Sequence, residues 1–158
     1  MIVLGIDPGY DIVGWGLVRS DLSLVDYGVI KTSPGDNLEE RFFAIYTALD
    51  EIIKKYSPGR AAIEKLFFKN NTKTAMGVAG AIGVIMLTLK MNNIPFASYT
   101  PTQVKQAITG SGGAAKDQMQ FMVCRILKQK EIKGPDDAAD ALAIALCHAL
   151  GSRGSTSV

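Results

Sequence analysis

Short apolar segments separated by turn residues set the fold class of this chain. The first spans residues 1–6 and ends at Asp7, and two more cover residues 12–18 and 24–32 on either side of a short turn. Apolar runs of this length bounded by Asp, Gly, Pro or Ser are typical of strands, and short connections favour antiparallel pairing. We therefore expect a three-stranded antiparallel meander at the N-terminus.

Helix and strand patterns alternate along the rest of the chain. Apolar residues at helical spacing follow the candidate N-cap Asn37, and Thr100 begins a second capped helix. The remaining segments predict strands over 60–68 and 95–99 and helices over 72–91, 114–128 and 135 to about 151. The element order is then βββαβαβααα in one α/β domain over residues 1–151, with 152–158 as a disordered tail. This is the order of an RNase H-like fold, a mixed central sheet of about five strands flanked by helices.

Positive charge is concentrated in the middle of the chain. Residues 54–133 carry thirteen Lys or Arg against three acidic residues, a net charge of +10, whereas residues 1–53 carry −6 and residues 134–158 carry −2. Such a segment suits a polyanion, because neutralised phosphates release counterions. A solvated Lys-rich surface gives the same count, so charge alone leaves both interpretations open.

Two cysteines, Cys124 and Cys147, lie inside apolar periodic segments. Two are too few for a disulfide framework or a zinc pattern, so we expect free thiols, a reducing compartment and a cytoplasmic protein. We find no signal-peptide pattern at the N-terminus. The longest uncharged run, residues 74–89, is shorter than the ~20 residues of a membrane span. We expect it to form a buried helix, with no membrane association.

Acidic residues stand where the apolar segments end or begin. Asp7 ends the first predicted strand, Glu64 ends Ala-Ala-Ile-Glu, and Asp137 and Asp140 share one face of an Ala- and Leu-rich helix. Carboxylates in apolar surroundings are costly unless they are paired or bind a cation. Hard cations such as Mg²⁺ prefer carboxylate oxygens, and two such ions can promote phosphodiester cleavage. The four residues together predict a metal-dependent nuclease site.

Each of these residues also has a simpler structural interpretation. Asp7 could cap a turn, and Glu64 could pair with Lys65 or Lys69. Asp136 and Asp137 could cap a helix. For any single residue the structural role is favoured, whereas the full set in this element order favours the metal site.

Four motifs give the chain a specific resemblance. They are Gly5-Ile6-Asp7-Pro8-Gly9, Ala62-Ile63-Glu64, Gln103-Val104-Lys105-Gln106 and Asp137-Ala138-Ala139-Asp140-Ala141-Leu142-Ala143. In this order and spacing, over roughly residues 1–150, the chain resembles the RuvC-type Holliday junction resolvases. The resemblance implies a homodimeric endodeoxyribonuclease, a hydrolase that nicks four-way DNA junctions symmetrically in recombination and repair. It also implies two Mg²⁺ ions per active site, replaceable by Mn²⁺, and a branch-migration helicase of the RuvA/RuvB type as partner.

The resemblance also implies roles for individual residues. The catalytic metal ligands would be Asp7, Glu64, Asp137 and Asp140. Lys105 and Lys116 would approach the DNA backbone near the cleavage site, and Phe67 would stack on an unpaired base. The adjacent polar residues that suit a phosphate-facing loop are Lys69, Asn70 and Lys73. Solvated lysines and a core phenylalanine are the structural alternatives.

Three glycines, Gly77, Gly80 and Gly83, recur every third residue in the helix predicted over 72–91. Small residues at this spacing let another helix approach closely. The resemblance implies a dimer interface on this helix, and packing against the chain's own sheet is the alternative. A twofold dimer would present two active sites with the symmetry of the junction.

Other functions fit parts of the pattern. A related RNase H-like nuclease of the pre-rRNA processing type would use the same carboxylates on RNA. An actin-like ATPase shares the first motif but needs a second domain, for which 158 residues leave no room. A non-catalytic junction-binding protein would keep the basic middle segment but would need no acidic cluster.

Overall fold

The computed structural model describes residues 1–66 and 72–154, apart from the side chains of residues 72, 73, 153 and 154. Its elements follow the predicted order βββαβαβααα. They are β1 (Ile2–Asp7), β2 (Ile12–Arg19), β3 (Leu24–Lys31), α1 (Leu38–Tyr56), β4 (Arg60–Glu64), α2 (Thr72–Met91), β5 (Phe96–Tyr99), α3 (Pro101–Thr109), α4 (Lys116–Ile126) and α5 (Asp136–Gly154).

The five strands form one mixed sheet in the order β3-β2-β1-β4-β5. The pairs β1–β2 and β2–β3 are antiparallel, which confirms the predicted meander, and the pairs β1–β4 and β4–β5 are parallel. Parallel neighbours need a crossover, and α1 and α2 supply the two crossovers here. The RNase H-like arrangement expected from the element order is therefore the observed one.

Alternating side chains along the strands build a separate core on each face of the sheet. On β1, Leu4 and Ile6 pack with α1 and α2, whereas Val3 belongs to the core that contains α3, α4 and α5. Because successive strand residues point to opposite faces, Gly5 and Asp7 lie on the same face as Val3. The side chain of Asp7 therefore belongs to the α5 side of the sheet.

Several element ends differ from the sequence prediction. β4 ends at Glu64 instead of residue 68, and α4 is two residues shorter at each end than expected. α5 continues to Gly154, so residues 152–154 are helical and the predicted disordered tail is wrong for them. The helix continues through Gly151, and the Ser152 hydroxyl donates hydrogen bonds to the backbone oxygens of His148 and Ala149 at 2.8 and 3.2 Å. Residues 155–158 lie outside the described part.

The helix α2 has the predicted bounds, but the expectation of a buried helix is wrong. One side packs on α1 and the sheet through Ala81, Ile85 and Leu89, while the opposite side leaves large apolar residues exposed. These are Met76, Met86, Leu87 and Met91. Residues 74–91 are long and apolar enough to cross a membrane by length and composition alone, and only 28% of that window is buried.

Candidate active site

Asp7 and Glu64 end neighbouring parallel strands at the same edge of the sheet. The register between β1 and β4 runs up to Ile6 opposite Ile63, so the two acidic residues follow side by side. Both occupy strand positions that alternate onto the α5 face. The carboxyl ends of parallel strands are where α/β proteins place ligands, and these two carboxyls lie within hydrogen-bond reach of each other.

Glycines in the sheet bring α5 close enough to complete the acidic cluster. A Cβ at Gly5 would overlap the carbonyl oxygen of Ala141, and a Cβ at Gly14 would overlap that of Asp137. The backbone of α5 therefore lies directly against β1 and β2. Since Asp7 is paired with Gly14 in the sheet, this contact brings Asp137 and Asp140 into the electrostatic environment of Asp7.

The cluster is strongly unfavourable for negative charge. Burial is the largest effect and, with the nearby carboxylates of Glu64, Asp140 and Asp137, it raises the pKa of Asp7 to about 8. Burial also raises the pKa of Glu64, where Asp140 adds to the effect. Burial likewise raises the pKa of Asp140, against the opposing pull of Lys116. Such displaced pKa values are common at functional sites.

Two lysines lie beside the carboxylates. Lys105 on α3 and Lys116 at the start of α4 line one pocket together with Glu64 and Asp140. The rest of that pocket is mainly apolar and consists of Pro101, Val104, Met119, Ala143 and Ile144. The structure thus places both sequence-predicted lysines beside the acidic residues, although Glu64, the two lysines and Asp140 are far apart in the sequence.

The position of Lys105 depends on a well-formed helix start. The Thr100 hydroxyl accepts a hydrogen bond from the Gln103 backbone at 3.1 Å, and the Gln103 side chain accepts one from the Thr100 backbone at 2.8 Å. This is the predicted capping box, with Pro101 in the first turn. Tyr99, at the end of β5, pairs with Glu64, so α3 begins next to the acidic cluster.

The donor set fits a hard divalent cation. Four carboxylates on one side of a sheet offer only oxygen ligands, and their mutual repulsion would be relieved by positive charge. Within residues 1–66 and 72–154, no three His, Cys, Asp or Glu side chains are already close enough together to hold an ion.

The loop after Asp7 is held by Arg41, a residue that the sequence did not single out. Arg41 on α1 is only 4% exposed, and its guanidinium lies 4.0 Å from the centre of the Tyr10 ring. It donates hydrogen bonds to the Asp11 carboxylate at 2.5 Å and to the Thr32 hydroxyl at 3.0 Å. It also donates to the backbone oxygen of Pro34 at 3.1 Å. The loop 8–11 is thereby fixed to α1.

Part of the predicted DNA-binding set cannot be placed. Phe67, Lys69 and Asn70 lie outside the described residues, and Lys73 lies in α2 with a side chain that is not described. β4 itself ends at Glu64, three positions before Phe67 in the sequence.

The three glycines of α2 have different surroundings. A Cβ at Gly77 would overlap the ring of Tyr10, and one at Gly80 would overlap the ring of Phe42. These two glycines therefore accommodate aromatic side chains from the chain's own loop 8–11 and from α1, neither of which belongs to the sheet. Gly83 is exposed with open space around it, so only Gly83 of the three lies on the uncovered face of α2.

Comparisons with known proteins agree with this architecture. The family model of the crossover junction endodeoxyribonuclease RuvC matches residues 3–148. RuvC of Fusobacterium nucleatum is 52% identical in an alignment of 158 positions, and the alignment covers 97% of this chain and 83% of that protein. The RuvC structure from Thermus thermophilus superposes with a TM-score of 0.91 at 38% identity and covers 99% of this chain and 98% of its own. T. thermophilus RuvC in complex with a Holliday junction substrate gives the same TM-score at 39% identity, covering 99% and 97% of the two chains. The chain belongs to the RuvC family of crossover junction endodeoxyribonucleases.

Proposed function

We propose that this chain resolves four-way DNA junctions through the acidic cluster, with Asp7, Glu64, Asp137 and Asp140 as metal ligands. The observation that carries the proposal is the gathering of like charges around Asp7, whose pKa is raised to about 8. A fold gains no stability from such repulsion, so the cluster is explained by a cation that it binds. RuvC-family enzymes are metal-dependent nucleases.

The proposed cofactor is Mg²⁺, with two ions per site and Mn²⁺ as a substitute. Oxygen-only ligation by carboxylates suits Mg²⁺ better than softer metals. When bound, the ions would supply an activated water and stabilisation of the leaving oxygen.

The protein's own residues would bind and orient the DNA backbone. Lys105 and Lys116 lie in the same pocket as Glu64 and Asp140, so their ammonium groups can contact phosphate oxygens at the cleavage point. There they would offset the negative charge that develops on the phosphate in the transition state. Further DNA contacts are proposed for Phe67, Lys69 and Asn70, which precede α2 in the sequence, and for Lys73, which lies at the start of α2.

The test is a nicking assay on a labelled four-way junction with Asp7→Asn. The substitution preserves shape and removes one ligand charge, so we expect nicking to fall by at least about 100-fold, with junction binding retained. Wild type should produce paired nicks with Mg²⁺ and none with EDTA. Unchanged nicking by the variant would refute the metal site.

Two other outcomes would favour a different function. Faster cleavage of RNA than of the junction would favour an RNA-processing nuclease. Binding without cleavage under every metal tried would favour a non-catalytic junction protein.

We further propose that the chain works as a homodimer through the exposed face of α2. Met76, Gly83 and Leu87 are spaced so that they share one side of the helix, and Leu87 is 58% exposed. Exposed apolar surface of this kind commonly marks a protein interface. A second copy of α2 would cover it and would pair two active sites for two opposed nicks.

A charge on this face tests the dimer. Leu87→Glu should convert a dimer to a monomer in sedimentation velocity, because the dimer would bury the new carboxylate. The matched control is Phe121→Glu on α4, where an apolar residue of similar exposure, 61%, is replaced by the same charge. The control should remain dimeric. A monomeric wild type at the concentrations that support nicking, or equal effects of both variants, would contradict this interface.

Family membership also supports two less specific proposals. A branch-migration helicase of the RuvA/RuvB type would act with this chain on the junction, and the site of action would be the cytoplasm. A junction-nicking assay with and without such a helicase would test whether the helicase acts with this chain.

A further inference from the structure

Lys116 occupies a position that its own helix disfavours. It is the first residue of α4, where the unpaired backbone N–H groups make the helix end electropositive. The preceding N-cap residue, Ala115, provides no side-chain hydrogen bond to offset this. The Lys116 side chain is 61% exposed, so water offsets part of this cost, and an acidic side chain from outside α4 can offset more of it.

That side chain is Asp136, the first residue of α5. Asp136 Oδ2 lies 2.9 Å from Lys116 Nζ, and Asp136 Oδ1 accepts a hydrogen bond from Gln120 Nε2 at 3.1 Å. Lys116 and Gln120 are four residues apart, so one carboxylate contacts two successive turns of α4. The start of α5 is also a favourable place for negative charge.

Asp136 differs from the four clustered carboxylates. Its side chain is exposed, and both of its carboxylate oxygens have partners on α4, Lys116 and Gln120. Asp140, by contrast, is partly buried. Asp136 is therefore the carboxylate that pairs directly with Lys116.

We propose that Asp136 is a positioning residue that holds the Lys116 ammonium beside Glu64 and Asp140 before DNA binds. The inference rests on the proposed function, in which Lys116 contacts the phosphate at the cleavage point. A free lysine side chain loses rotamer freedom when it engages a phosphate, and a lysine already restrained by Asp136 loses less. The carboxylate itself also repels DNA, because it lies next to the phosphate path.

These two effects give opposite signs for rate and affinity. Asp136→Asn removes the charged partner of Lys116, so the single-turnover nicking rate should fall three- to tenfold. The same substitution removes one negative charge near the DNA, so the junction Kd should stay the same or become tighter. A variant that merely loosened the fold would weaken both.

The matched control is Asp117→Asn. Asp117 is the next residue on α4, is exposed, and accepts a hydrogen bond only from its own neighbour Gln118 at 2.9 Å among the contacts that the structure describes. It carries the same charge close to the same DNA but does not contact Lys116. We expect its variant to match Asp136→Asn in Kd and to keep the wild-type nicking rate.

A second measurement shows whether Asp136 acts through Lys116. In a Lys116→Met background, Asp136→Asn should lower the nicking rate no further, and Asp136→Glu in the wild-type background should restore part of the rate. A full additional loss in the Lys116→Met background, or an unchanged rate in Asp136→Asn alone, would overturn the proposal. So would a Lys116→Met variant that nicks normally. All these outcomes are separable from failure of the proposed function, which is read from Asp7→Asn and EDTA.

Discussion

Arg41 and Asp7 are both charged residues withdrawn from solvent, and both adjoin the loop 8–11, yet their surroundings are opposite. Arg41 donates to oxygen atoms from Asp11, Thr32 and Pro34 and lies against the Tyr10 ring. These oxygens and the ring offset its charge. Asp7 is partly buried beside further carboxylates, and burial first and these neighbours second raise the energy of its charged form.

Within one small region, the charge of Arg41 serves the structure and the charge of Asp7 serves ligand binding. A buried cation with matched acceptors holds α1 to the loop and contributes to stability. A cluster of like charges opposes stability, and a ligand must compensate for it. Arg41 therefore fixes the backbone that follows Asp7, while Asp7 itself remains available for a cation.

The largest expected effect on stability is at Arg41. Arg41→Met keeps much of the side-chain volume but removes the charge-assisted hydrogen bonds of the guanidinium and its contact with the Tyr10 ring, so we expect a loss of about 3 kcal/mol. For a domain of this size, that corresponds to a fall in Tm of about 6–12 °C. Thermal unfolding by circular dichroism measures it. The control Arg125→Met changes an exposed arginine and should stay within about 0.5 kcal/mol. Equal changes in the two variants would remove the contrast between Arg41 and an ordinary surface charge.

A substitution at Asp7 should instead raise the free energy of unfolding of the metal-free protein. The pKa of Asp7 is about 8 in the folded chain against 3.8 for the free side chain, so between these pH values the folded state binds more protons than the unfolded state. The free energy of unfolding must then fall as pH rises through this window. Glu64 and Asp140, whose pKa values are also raised by burial, act in the same direction.

Asp7→Asn should therefore stabilise the protein in EDTA at pH 8, by about 2 kcal/mol after allowance for solvent access to the site. The advantage should shrink towards pH 4, close to the pKa of 3.8 of the free side chain, where the folded wild type is protonated at this residue and the unfolded state is partly so. Urea unfolding at the two pH values measures it. The control Asp36→Asn, at an exposed loop residue, should show no such pH dependence. A variant less stable than wild type at pH 8 would mean that Asp7 has a favourable partner in the folded chain.

Much of the fold follows from the sequence because its signals are local. The alternation of Val3, Leu4 and Ile6 predicts a two-sided strand, and the Thr100 capping box fixes the start of α3. The exposure of α2 was mispredicted, since a helix whose apolar residues surround its whole axis gives no sign of which side the chain leaves uncovered.

The acidic cluster was predictable because Asp7 and Glu64 end strands and Asp137 and Asp140 lie near the start of α5, and topology brings such ends together. The Arg41–Asp11 and Lys116–Asp136 ion pairs were not predictable, because each joins residues 20 or more positions apart without a shared periodicity. Asp136 in particular has an ordinary role as a helix-start residue in the sequence. Only the packing of α4 against α5 shows its partner.

The smallest expected effect is the response of stability to the cation, and it connects the two halves of the comparison. Mg²⁺ that binds only the folded state stabilises it by about 1.4 kcal/mol at ten times its Kd, which corresponds to roughly 3–6 °C in Tm. Wild type should show this increase at pH 8 in a thermal scan.

The two variants should respond differently to Mg²⁺. Asp7→Asn, which lacks one ligand and starts from a higher metal-free Tm, should show a much smaller increase in Tm. Arg41→Met should start lower but should rise by nearly the wild-type amount, because its carboxylates are unchanged. If Mg²⁺ raised the Tm of Asp7→Asn as much as that of wild type, the cation would bind elsewhere, and the repulsion around Asp7 would need another explanation.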